Sequence, residues 1–115
     1  MDCKLSFRQS IQEIQKEFSS MFPYLMIDFL TECINLNSSD GELFFTDETT
    51  VSEFIEAIKN HSGLTPQIFR KFGSLWINTS FTTDWSLFQQ NNTGEEISKI
   101  YAEGKQLSVM TALLG

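Results

Sequence analysis

"TVSEFIEAIKNHSGLTPQIFRKFGSLWIN", Thr50 to Asn78, is the stretch whose reading decides the fold. Its first half is a helix with both ends marked. Thr50 and Glu53 make a capping box, in which the hydroxyl takes one free N–H and the carboxylate another. Val51, Phe54, Ile55 and Ile58 recur at helical steps and form one apolar stripe. Gly63 stands where a helix stops in the left-handed conformation. Lys59 and His61 near that end suit the negative end of the helix dipole. The second half changes period. After Pro66 the chain reads as two short strands around Phe72-Gly73-Ser74.

Upstream, Tyr24 to Thr31 alternates. Leu25, Ile27 and Phe29 share one face, while Tyr24, Met26, Asp28 and Leu30 share the other, with Asp28 marking the wetter side. Asp40-Gly41 is a hairpin-type turn signal, and Glu42 to Asp47 is the next strand. Ser6 to Met21 reads as a helix on Ile11, Ile14, Phe18 and Met21, ended by Pro23. Downstream, Thr83 or Asp84 caps a short helix from Trp85 to about Asn92, closed by Gly94. A further turn or two follows, with Ile97, Ile100 and Tyr101 on one side and Gly104 as its stop. In the tail, Leu107, Val109 and Thr111 alternate as in a strand, although Met110, Ala112 and Leu113 would also serve a helix. We prefer the strand.

The 115 residues fit one domain, 1–115, large enough for a core without covalent staples. Phenylalanine supplies 11 of the aromatic residues, so rings should build that core, with Phe18, Phe22 and Phe54 in it. The formal charge is −7. Binding to nucleic acid gains affinity from cations on phosphates, so no nucleic-acid partner is expected. An anionic membrane surface is disfavoured for the same reason, and no stretch is apolar and long enough to span a bilayer. The N-terminus lacks the apolar run of a secretion signal, which points to a cytoplasmic protein. Cys3 and Cys33 do not make a disulfide framework and read as buried free thiols.

The residues of common catalytic constellations are missing. His61 is the single histidine and falls at a helix end. There is no Cys-x-x-Cys or His-x-x-x-His spacing for a metal, no nucleophile elbow and no phosphate-cradling glycine loop. No catalytic residue, metal or cofactor is therefore assigned. Asp47-Glu48 and Glu95-Glu96 sit where helices begin and are explained by dipole compensation. What stands out is the segment Phe69 to Gly94, which holds both tryptophans. Trp and Arg dominate interface energetics, and Arg70 between Phe69 and Phe72 could hold a carboxylate while a ring packs an apolar group. Gln89, Gln90, Asn91 and Asn92 add amide donors and acceptors, of which Gln89 and Asn91 are taken as contacts.

Thr50 to Asn91 also resembles the ubiquitin-like β-grasp superfamily. The shared pattern is a Thr-capped helix opening with Val51, then Gly63 followed by Leu64-Thr65-Pro66, Gln67 and Arg70. A Gly73 turn, a Leu75 strand and a helical turn at Asp84, Ser86 and Leu87 complete it. The similarity covers roughly residues 24–113. The hairpin after Arg70 is shorter, the first loop longer, and the helix at 6–21 an addition. The chain ends Leu113-Leu114-Gly115, without the double glycine that modifiers and sulfur carriers need for adenylation. "FPYLMIDF" with "FRKFGSLWINT" further resembles a group of small bacterial proteins, which implies no mechanism.

The resulting expectation is an α+β protein. A β-grasp-like mixed sheet of four to five strands carries the Thr50–Ser62 helix across one face, with an added N-terminal helix. The expected function is a non-catalytic protein-binding module, a monomer or weak homodimer. Its contact residues would be Phe69, Arg70, Trp76, Trp85, Gln89 and Asn91. The rival is a small enzyme or ligand-binder with a pocket between the 67–78 hairpin and the 84–93 helix, where Asp84 or Glu95 would do acid–base work. A deep pocket lined by both tryptophans would favour the rival.

Overall fold

The computed structural model describes residues 1–30 and 41–102. Their order is β1 (Asp2–Ser6), α1 (Ile11–Met21), β2 (Leu25–Phe29), β3 (Glu42–Thr46), α2 (Val51–Ser62), β4 (Pro66–Phe72), β5 (Leu75–Asn78) and α3 (Leu87–Ala102). This is an α+β architecture. The strands form two antiparallel sheets, β1-β3 and β2-β4-β5. The single mixed sheet expected from the sequence is not what the described strands build. The expected final strand, 105–113, lies outside the described residues, as does Cys33.

The main departure is at the N-terminus. The sequence reading assigns Asp2–Leu5 no element and begins a helix at Ser6, but Cys3, Leu5 and Phe7 alternate with Asp2, Lys4 and Ser6 and bury one face. That strand pairs with β3, Leu5 opposite Leu43, so β3 does not form a hairpin with β2. The helix expected from residue 6 begins at Ile11. Ser10 caps it, accepting the Glu13 N–H at 3.2 Å while Glu13 accepts the Ser10 N–H at 3.2 Å. α2 follows the sequence reading closely. Thr50 and Glu53 make the reciprocal capping bonds, and Gly63 ends the helix at φ +77°.

The core is built on rings. Phe18 of α1 stacks on Phe54 of α2 at 5.5 Å, Phe22 tilts against Phe18 at 5.3 Å, and Phe45 of β3 meets Phe54 at 4.7 Å. Leu5, Ile14, Leu25, Ile27, Ile58, Ile68 and Leu87 complete it from both sheets and all three helices. Each such side chain contributes about 1.5 to 3 kcal/mol on leaving water.

Residues 84–102 also differ from the sequence reading. The expected cap at Thr83 or Asp84 is instead Ser86, whose hydroxyl accepts the Gln89 N–H at 3.0 Å. The helix does not close at Gly94 but runs through it to Ala102. Gly94 is needed there for a different reason. A Cβ on it would lie 2.9 Å from Tyr24 Cβ, 3.2 Å from the Tyr24 carbonyl oxygen and 3.2 Å from Arg70 Cγ. The bare backbone lets α3 lie against the beginning of β2 and against β4.

Candidate functional site

The β4–β5 hairpin sets the geometry of Phe69, Arg70, Phe72 and Trp76. Gly73, at φ +62°, and Ser74 make a two-residue turn, and Phe72 faces Leu75, Lys71 faces Trp76, Arg70 faces Ile77 and Phe69 faces Asn78. Side chains alternate across a strand, so opposed pairs share a face. Arg70 and Ile77 lie on the side of buried Leu25 and Ile68. Phe69, Lys71, Trp76 and Asn78 lie on the opposite, outer side, together with Met26. The two tryptophans are therefore separated by the sheet.

On the inner side, the Arg70 guanidinium carbon lies 5.4 Å from the centroid of the Trp85 ring, within cation–π range. Arg70 Nη1 donates to Gln90 Oε1 at 3.1 Å. Gln90 is fully buried, and its amide nitrogen donates to the Thr82 carbonyl at 2.9 Å and the Thr82 hydroxyl at 2.7 Å. The strand β4, the turn before α3 and α3 itself are thus tied by one amide. Burial pushes the Arg70 guanidinium below its usual value. Its Nε is buried without a hydrogen-bond partner, and no carboxylate lies within ion-pair distance among the described residues. Asn91 ties the same junction, its Oδ1 accepting the Tyr24 N–H at 2.8 Å.

Sequence reasoning marked Gln90 only as one of four amides and took its neighbours Gln89 and Asn91 as the contacts. Gln89 is exposed, and Asn91 is a structural tether. The missed signal is the helical stripe Leu87, Gln90, Gly94, Ile97, all buried, which becomes visible only once the helix is drawn through Gly94. The acid–base candidates do not meet at a site. Asp84 is exposed in the turn, and Glu95 pairs with Lys99 one turn along α3 at 3.3 Å. Among the described residues, no group of three or more His, Cys, Asp or Glu side chains is placed to hold a metal, and no helix is long and apolar enough to cross a membrane.

The outer side has a different character. Lys71 Nζ lies 5.5 Å over the Trp76 ring. Trp76 is 39% exposed, and on the other face of the same strand Ile77 is 38% and Leu75 65% exposed. Phe81, just beyond β5, is 98% exposed. From Phe72 to Thr83 the chain carries no charged residue. Strands at sheet edges usually carry a lysine, a proline or a bulge that discourages pairing, and Leu75–Asn78 has none of these.

The hydrogen-bond parity shows which backbone groups that edge offers. Ile68 O accepts the Thr79 N–H at 3.0 Å, so Ile68 and Thr79 form a hydrogen-bonded pair. In an antiparallel ladder such pairs alternate, which directs the N–H and C=O of Ile77 and Leu75 toward β4. Those of Trp76 and Asn78 point away from it. The opposite edge of the same sheet is treated differently. There Gln15 Nε2 of α1 donates to the Ile27 carbonyl at 3.0 Å, and the Ser19 hydroxyl donates to the Leu25 carbonyl at 3.4 Å. Side chains of α1 occupy the outward carbonyls of Leu25 and Ile27 in β2, and nothing comparable covers β5 among the described residues.

Among the described residues, clefts of roughly 370, 360 and 310 Å3 lie at Ser6, Arg8, Gly41 and Phe44, at Gln12, Gln15, Ser19 and Met26, and at Met1, Asp47, Ser86 and Phe88. None of these is lined by Trp76 or Trp85. The chain shows no match to a protein-family model, to a curated protein or to a solved structure.

Proposed function

We propose that the chain is a non-catalytic protein-binding module whose contact surface is the outer face and free edge of the β4–β5 hairpin. One observation carries this reading. Among the described residues, an apolar, uncharged edge strand with outward-pointing backbone groups at Trp76 and Asn78 is left uncovered, while α1 side chains occupy carbonyls on the other edge of the same sheet. Such an edge recruits an extended segment through main-chain hydrogen bonds, and alternate side chains supply selectivity. Phe69 and Trp76 then contact the bound partner. Arg70, Trp85 and Asn91 act behind the sheet, holding it against α3, while Gln89 is exposed on α3 and makes no such tie. The resemblance of Thr50–Asn91 to β-grasp proteins supports the same reading, because that fold offers a sheet to partners, although a fold alone does not specify a function.

The test is capture from native lysate followed by titration of whatever is recovered. A saturable partner that binds wild type, fails to bind Trp76→Glu and still binds Gln89→Ala is the expected result. Identical binding by wild type and Trp76→Glu would sink the proposal.

A further inference from the structure

We infer that the occupant of the β5 edge is a second copy of this chain, paired antiparallel through β5 to join two three-stranded sheets into one of six. The inference rests on the binding-surface reading above and names its partner. Three observations favour a second copy. First, the edge strand is neutral: with no charge from Phe72 to Thr83, two copies set no like charges of that strand opposite one another. Second, the edge is self-complementary. A two-fold axis through Ile77 places Trp76 opposite Asn78 of the second copy, and the reverse. These are the two residues whose N–H and C=O point outward, so the pairing makes four main-chain hydrogen bonds. Third, the faces match. Ile77 meets Ile77 on one side, and on the other each Trp76 ring lies beside an asparagine rather than a second indole. A strand of four residues buries little surface, so the association is weak and concentration-dependent.

The test is sedimentation equilibrium of the full chain over a wide concentration range, with amide exchange measured on the same samples. A monomer–dimer equilibrium is expected, with the Trp76 and Asn78 amides gaining protection as dimer forms. Ile77→Lys and Ile77→Glu place like charges on the axis at an exposed position, and each should weaken dimerisation by at least about tenfold. Mixing the two variants should restore association, which a folding defect would not allow. A dimer unchanged in both variants uses another surface and overturns the inference. A monomer at every concentration overturns it as well, and exchange then separates the readings. Rapid exchange at Trp76 and Asn78 leaves the edge open to another protein. Protection at every concentration means the chain covers its own edge, and the binding-surface proposal falls too.

Discussion

Arg70 and Lys71 are neighbours in the chain and hold different tryptophans on opposite sides of one sheet. Arg70 lies 5.4 Å from the centroid of Trp85 on the inner side, and Lys71 lies 5.5 Å from that of Trp76 on the outer. A pocket lined by both indoles, which a ligand-binding reading would need, has the strand β4 running through it. The aromatic segment is two sites back to back, one holding α3 in place and one facing solvent.

This division is open to quenching experiments. In Trp85→Phe the remaining fluorescence comes from the exposed-edge residue Trp76. In Trp76→Phe it comes from Trp85, which lies beneath Arg70. Acrylamide should quench the first variant more steeply than the second. Equal slopes would contradict the separation of the two rings.

Gln90 should be a stability residue. Gln90→Leu keeps much of the volume and removes the acceptor of Arg70 Nη1 and the donor to Thr82. A buried polar group that loses its partner costs about 1 to 3 kcal/mol. A fall of about that size in unfolding free energy from urea titration is expected. Gln89→Leu, one residue away and exposed, should change it by less than about 0.5 kcal/mol.

Gly94→Ala should destabilise, although alanine is the better helix former by about 1 kcal/mol. The added methyl meets Tyr24 Cβ at 2.9 Å and a backbone oxygen at 3.2 Å, neither at the end of a flexible side chain. Overpacking of this kind typically costs about 1 to 3 kcal/mol. A higher melting temperature for Gly94→Ala would show that α3 does not approach β2 as closely as described.

The two capping boxes predict a pH dependence. Bonds from the Ser10 hydroxyl and N–H hold the Glu13 carboxyl below the ordinary value of 4.5, and bonds from the Thr50 N–H and hydroxyl do the same for Glu53. A carboxyl with a lowered folded pKa contributes stability that is present above its unfolded pKa and lost as pH falls through the folded one. The double variant Glu13→Gln, Glu53→Gln should therefore be less stable than wild type at neutral pH. The gap should narrow as pH falls below 4.5 toward the lowered folded values. A constant gap across that window would mean the caps do not depend on the charged form.

Much of the fold was legible where local chemistry and tertiary packing agree. α2 shows this best, because its capping box, apolar stripe and terminal glycine are all short-range signals. The hairpin at Gly73 was legible for the same reason. β1 was missed because five alternating residues carry little weight until β3 is known to pair with them across some forty positions. Gly94 was misread because glycine ends helices far more often than it thins them, and only the approach of Tyr24 and Arg70 distinguishes the two. The candidate site was half legible. Its residue types marked the segment, but the face each strand side chain takes depends on register, which turns Trp76 outward and Arg70 inward against Trp85.

The coverage of β2 by Gln15 and Ser19 has a further consequence. A sheet that can grow from both edges polymerises, each added strand offering a new template to the next. In the β2-β4-β5 sheet the described residues obstruct the β2 edge and leave β5 open, so a strand added at β5 would meet an obstructed edge on the far side. Two side chains of α1 thereby set a limit on assembly, and an apolar edge can remain exposed without seeding a fibre.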